Sequence, residues 1–244
     1  MWLSCTANRR TVQVANPLEP TNYGEIWRRH LLPKASYPVS IEIAGPLAMF
    51  ARPDTGSAPT SYPAPTFSAC VGIFESIARF RSGDAWIVPT KVEICKRRGA
   101  AGGAVSYQRY ATNYGGPLRK SNQLSKGARM QRFATVLANV CYRIHGECQG
   151  KSANGTNARH YLSDQFHKRL RLGRCLSTPV LGWKEFPCSY WGPFREEEFE
   201  VDADLNLMIP SMLLSMWSAP RGGKYRPEFR QNVRITNGVL TFAE

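Results

Sequence analysis

The sequence predicts an α+β fold in which two helices cover an antiparallel sheet, the elements running β-α-β-β-α-β. Three observations carry that prediction. Stretches of two-residue alternation, such as VSIEIAGPLAMFA and AWIVPTKVEICKR, recur along the chain and read as strands. Two others, TFSACVGIFESIARF and NARHYLSDQFHKRLRLGR, switch to helical spacing. The 244 residues, 43% of them hydrophobic, are enough to bury a core as one large domain or two small ones.

Residues 1 to 35 read as an N-terminal extension of unknown role. VSIEIAGPLAMFA opens on β-branched residues and forms the first strand, followed by a Pro/Ser/Thr-rich loop from Arg52 to Pro65. Thr66 or Ser68 caps the first helix, whose Val71, Phe74 and Ile77, continued by Ala78 or Phe80, face the core. AWIVPTKVEICKR is the next strand; Pro89, with no N–H to donate, places an edge or a bulge in it. A glycine-rich basic loop, 96 to 132, leads into a strand alternating from Val136 to Glu147. The second helix then presents Leu162, Phe166 and Leu170 on one face, and VLGWKEFPCSYWG reads as a short aromatic strand. This order is that of a ferredoxin-like, RNA-recognition-type domain over residues 36 to 192, with a C-terminal extension at 193 to 244. Topology of this kind hosts many functions.

Charge narrows them. The net charge is +14, and no acidic residue falls between Glu93 and Glu147. Lys96, Arg97, Arg98, Arg109, Arg119, Lys120, Lys126, Arg129, Arg132 and Arg143 all lie in that interval. An unbroken single sign over such a span faces a polyanion rather than serving only as a solvated surface. Glycines and Tyr107, Tyr110 and Tyr114 are interleaved with the cations, a mixture suited to single-stranded RNA more than to a duplex groove. The acidic stretch REEEFEVDADLN would repel RNA; it reads as a solvent-facing loop, or as a patch that docks on a basic neighbouring subunit. MIPSMLLSMW reads as core, with an exposed interface as the alternative. The seven cysteines are odd in number and form no C-x-x-C pair, so they read as small buried hydrophobes rather than metal or redox ligands. No apolar run approaches the roughly 18 residues of a membrane span, and the first residues are too short for a signal sequence, so the chain reads as cytoplasmic.

Five ordered blocks carry a resemblance: GPLAMFARPD, SYPAPTFSACVGIFESI, QRFATVLANVCYRIHGE, RHYLSDQFHKRLRLGRC and LGWKEFPCSYWG. Together they resemble the CRISPR-associated Cas-five family, type I-C branch, over about residues 39 to 240. The resemblance implies a ferredoxin-like domain with a β-rich C-terminal extension, seated at the 5′-handle end of CRISPR RNA in a Cascade-type complex. A large subunit and a backbone subunit are its implied partners, target DNA is met if at all through the complex, and no cofactor is required. Members of the branch commonly cut precursor CRISPR RNA without a metal. On this reading Ser61, Tyr62, Thr66 and Ser68 lie near the RNA; a plain loop and core helix is the alternative.

Metal-free RNA cleavage needs a base for the 2′-hydroxyl, an acid for the departing 5′-oxygen and a cation for the phosphorane. The resemblance implies a tyrosine late in the first helix and a Lys-His pair opening the second. Here those positions read Ala78, Arg159 and His160. Histidine, with an ordinary pKa of about 6.5, carries protons near neutrality. Arginine clamps phosphate but does not donate its proton. Tyr62, Tyr110 and Tyr161 are candidate substitutes for the phenol, and spacing does not select among them. His160, Asp164, His167 and Arg171 share one helical face, on which Asp164 either orients His160 or belongs to a solvated polar stripe. Three readings follow: a metal-independent endoribonuclease, a non-catalytic 5′-handle scaffold, and a generic single-stranded RNA-binding protein.

Overall fold

A computed structural model describes residues 36–80, 84–114, 130–150, 157–219 and 222–242. The elements are β1 (Pro38–Ala48), α1 (Phe67–Ile77), β2 (Ala85–Arg97), β3 (Tyr107–Tyr114), β4 (Met130–Gly150) and α2 (Ala158–Arg171). They are followed by β5 (Tyr190–Gly192), β6 (Phe199–Val201), β7 (Leu207–Ala219), β8 (Gly222–Thr236) and β9 (Val239–Thr241). Among the described residues these strands form one antiparallel sheet, ordered β5-β1-β4-β2-β9-β8-β7, with β3 added on β4 and β6 on β2. Helix α1 joins β1 to β2 across β4, and α2 joins β4 to β5 across β1. Two helices on an antiparallel sheet are what the order of sequence patterns predicts, and the nine described strands make the fold mostly β.

Alternation divides the sheet into two faces. Val39, Ile41 and Ile43 of β1 point into the main core, under the helices, while Glu42 and Ala44 point the other way. Thr66 caps α1 by accepting the Ala69 amide at 3.2 Å, and Phe67, Cys70, Ile73, Phe74 and Ile77 form the buried stripe. Val71 is only half-buried, so the core face is rotated from the one expected. Edge-to-face contact between Phe74 and Phe166, at 5.7 Å, ties the helices together. Among the described residues no helix is long and apolar enough to cross a membrane.

One local expectation is met and three change. Pro89 does mark a bulge, because the β2–β4 register slips between Pro89 and Lys91, but β2 lies mid-sheet rather than at an edge. The basic loop contains strand β3, paired to β4 from Tyr107↔Leu137 to Tyr114↔Met130, so β4 runs longer than its Val136–Glu147 signal. VLGWKEFPCSYWG is a strand only over Tyr190–Gly192. Its LGWKEFP portion is a turn in which the Leu181 amide donates to Phe186 O (2.7 Å) and the Phe186 amide to Trp183 O (3.0 Å). Gly182 sits there at φ +90, and a Cβ would lie 1.9 Å from Met49 O, so no side chain is tolerated. Finally, REEEFEVDADLN is no free loop: β6 pairs with β2 at Cys95–Arg97, and Asp202 is buried, accepting the Ala104 amide at 2.7 Å.

MIPSMLLSMW is divided between core and surface. Ile209 and Met212 enter the core while Met208 is 57% exposed. β9 returns the chain to β2, with Lys91↔Thr241 in register.

On the face away from the helices, Glu42 is fully buried. It accepts Arg143 Nε at 3.2 Å, Arg195 Nε at 2.7 Å and the Arg195 amide at 3.0 Å. The Arg195 guanidinium lies 3.7 Å from the Tyr190 ring centroid and 4.7 Å from that of Phe199. Removing the carboxylate would leave two enclosed cations without it. Glu42→Ala is therefore expected to lower unfolding stability by about 3–5 kcal/mol, read from the denaturant midpoint.

Candidate functional site

The N-terminus of α2 gathers chemistry from two distant segments. Asn157 caps the helix by accepting the His160 amide at 3.3 Å, and its Nδ2 donates to the Tyr37 hydroxyl at 2.7 Å. The Tyr37 ring stands edge-on to His160 at 5.7 Å, and the Arg159 guanidinium carbon lies 5.6 Å from the same ring's centroid. His160 Nδ1 meets Asp164 Oδ2 at 3.2 Å. Both side chains are exposed, which leaves Nε2 as the ring nitrogen to face a substrate. Arg159 Nε is buried without a hydrogen-bond partner among the described residues. A proton carrier oriented by a carboxylate, a cation and a phenol thus surround a helix N-terminus, whose dipole favours anions.

His167 does not join this group, because its Nε2 lies 3.3 Å from Pro38 O.

Tyr37 joins the candidate phenols, which the structure separates from one another. Tyr62 is 2% exposed, and its hydroxyl accepts the Leu213 amide at 3.1 Å. Tyr110 donates to Glu185 Oε2 at 3.1 Å, and its ring packs on Phe186 at 5.1 Å, away from α2. Tyr161 is 49% exposed beside His160, its hydroxyl accepting Gln165 Nε2 at 2.8 Å. Ala78 ends α1 as a buried C-cap and lines a groove with Tyr161.

The loop before α1 is held largely inside the fold. Ser61 is buried, with Oγ accepting the Phe50 amide (3.0 Å) and donating to Tyr62 O (2.8 Å). The Ser61 amide donates to Thr135 O at 3.0 Å, and the Tyr62 amide to Phe50 O at 2.8 Å. Thr66 is buried as the helix cap. Ser61 and Tyr62 therefore fasten the loop to Phe50 just after β1, to β4 and to β7, and Ser61, Tyr62 and Thr66 are buried while Ser68 is exposed.

The basic candidates separate as well. Lys96 lies 3.2 Å from Asp202 and 3.5 Å from Asp204, and Arg98 donates to Glu196 O at 2.9 Å with Glu200 3.8 Å away. The acidic segment thus covers the base of the basic loop from within the same chain. Arg97 is exposed, and Arg109 sits over the exposed Phe133 ring at 5.3 Å, a cation and an aromatic face side by side. Arg132 is half-buried on β4. Arg119, Lys120, Lys126 and Arg129 lie outside the described residues.

Comparison with known proteins identifies the family. The family profile for Cas5d, described as CRISPR-associated protein (Cas_Cas5), matches residues 39–235. The chain belongs to the Cas5d family. Among its Cas5d relatives, a CRISPR pre-crRNA endoribonuclease of Thermus thermophilus is 28% identical over 178 residues, spanning 73% of this chain and 72% of the relative. One of the same name from Mannheimia succiniciproducens is 28% identical over 165 residues, 62% of this chain and 71% of its own length. A crystal structure of a CRISPR-associated protein superposes with a TM-score of 0.56 at 18% identity, covering 84% of this chain and 91% of that one. A functionally uncharacterized protein, SMU1763c of Streptococcus mutans, gives 0.51 at 17% identity over the same shares. At those identities the likeness is one of fold.

The acidic clasp yields a pH signature. Burial pushes the Asp202 carboxyl up, but the Ala104 amide and Lys96 outweigh it and hold its pKa below the ordinary value. A depressed folded pKa gives stability that is present above the unfolded value, about 3.9, and is lost as pH falls through the folded one. Asp202→Asn should melt below the parent at neutral pH, with the gap closing below about pH 4 in paired thermal scans.

Proposed function

We propose that this Cas5d-family chain holds the repeat-derived 5′ handle of CRISPR RNA in a Cascade-type complex and cuts the precursor RNA without a metal. A ferredoxin-like RNA-holding domain over 36 to 192, a C-terminal extension from 193, and large and backbone subunits as partners complete the reading. The observation that carries it is the cluster at the start of α2, where Asp164 holds His160 and Tyr37 touches both His160 and Arg159. In this scheme His160 Nε2 takes the 2′-hydroxyl proton, the 2′-oxygen forms a bond to phosphorus, and the bond from phosphorus to the 5′-oxygen breaks. The departing oxygen receives a proton from the Tyr37 phenol, and Arg159 holds the charged phosphorane oxygens. The products are a 2′,3′-cyclic phosphate and a 5′-hydroxyl.

A second reading, handle binding without cutting, is favoured by Ala78, which puts a methyl where the family resemblance implies a phenol.

The test is the purified chain with its own labelled repeat RNA in EDTA. His160→Ala should cost on the order of 10²-fold or more in single-turnover rate with RNA affinity nearly unchanged, whereas Arg159→Ala should lose rate and some affinity together. Tyr37→Phe should lose rate while keeping the ring contacts. Cutting by His160→Ala at parental speed sinks this assignment; RNA bound tightly by a parent that never cuts establishes the scaffold instead.

Binding should weaken with salt as counterions are released. Reversing Arg97 and Arg109 to glutamate should weaken it further and flatten the log–log salt slope by about one to two units. An unchanged slope would remove both from the RNA surface.

A further inference from the structure

We propose that the groove between the end of α1 and α2 is a subsite for one unstacked nucleotide of the RNA. The inference rests on reading the chain as an RNA-binding subunit. The groove has a volume of about 560 Å³, within the roughly 300–1,000 Å³ usual for small-ligand sites. Its floor is the buried methyl of Ala78, and its walls include Arg79, Phe80, Tyr161, Gln165 and Arg169.

Three features select a nucleotide. Tyr161, half exposed and edge-on to Phe80 at 5.7 Å, brings aromatic surface on which a base can stack. Among the described residues, two arginines and no carboxylate line the groove. Arg169 is already fixed, its Nη1 donating to Ile77 O at 2.8 Å, so a cation is held at the rim without a counter-charge among the lining residues. Gln165, anchored through Nε2 to the Tyr161 hydroxyl, keeps its carbonyl oxygen as an acceptor for a base edge.

Position adds a fourth. Tyr161, Gln165 and Arg169 follow i, i+4, i+8 on α2, and this row lies one residue round the helix from His160 and Asp164. A nucleotide seated in the groove would therefore flank the phosphate presented to His160. The subsite would fix which phosphate arrives there, a positioning role distinct from proton transfer. Ala78 is what leaves the space: a large side chain at that position would occupy it.

The experiment uses the full chain and its repeat RNA, with 2-aminopurine placed at one position after another. The expected result is quenching at one position on binding. Tyr161→Ala should abolish that quench and weaken binding about tenfold, the scale of one lost base stack, while Tyr161→Phe keeps both. Ala78→Trp, which fills the groove, should also abolish it, and circular dichroism identifies any variant that has not folded. His160→Ala should leave the quench intact. Parental quenching and affinity in Tyr161→Ala overturns the subsite and assigns the groove to some other occupant, such as a partner's peptide segment. A parent that quenches but does not cut retires the cleavage reading alone. A parent that cuts while Tyr161→Ala quenches normally retires the subsite alone.

Discussion

Glu42 has no exposed surface, and its two oxygens receive three donors from Arg143 and Arg195. A buried carboxylate is tolerated only when it is paired and hydrogen-bonded, so the strands that bring those donors must stay in register. Slipping β1 by one residue on β4 would turn Glu42 into the apolar core under the helices and Ile43 onto the polar face. The same register sets Pro38 opposite Glu147, and the Cys148 amide donates to Tyr37 O at 3.0 Å. Tyr37 is thereby pinned at the mouth of β1, where its hydroxyl reaches Asn157 and its ring reaches His160 and Arg159. A charge pair on one face of the sheet thus fixes the geometry of a site on the helices.

The other electrostatic theme is division of labour among cations. The acidic residues from Glu196 to Asp204 take up Lys96 and Arg98, and Arg195 and Arg143 are committed to Glu42. These cations act as structural counter-ions. Among the described residues, Arg97 and Arg109, together with Arg159 beside the helix N-terminus, lie outside those internal pairs.

Elements set by local pattern were legible in the sequence: α1 with its Thr66 cap, α2 with Leu162 and Phe166, and the alternation of β1 and β2. His160 and Asp164 were legible too, because a pair four residues apart on a helix must be adjacent. Tyr37 was not, since its partner Asn157 lies 120 residues away and no local period marks it. The burial of Ser61 and Tyr62 was hidden for a related reason. Polar residues in a proline-rich loop look exposed, and only the long-range partners Phe50, Thr135 and Leu213 draw them inside. The acidic segment misled likewise, because its composition gives no sign that β6 pairs with β2.

The sheet order places β1, the first described strand, between β4 and β5. On a ribosome extending at about 5–20 residues per second, β1 would therefore emerge seconds before any strand able to pair with it. Val39, Ile41 and Ile43 would stay uncovered through that interval, and so would the unpaired edges of the strand. Folding through such distant pairings is slow, and it ends only after the turn at Leu181 has closed on Met49. A nascent chain truncated before residue 181 would carry every residue of the proposed catalytic cluster, yet it would lack the strand and the arginine that seat the outer flank of β1.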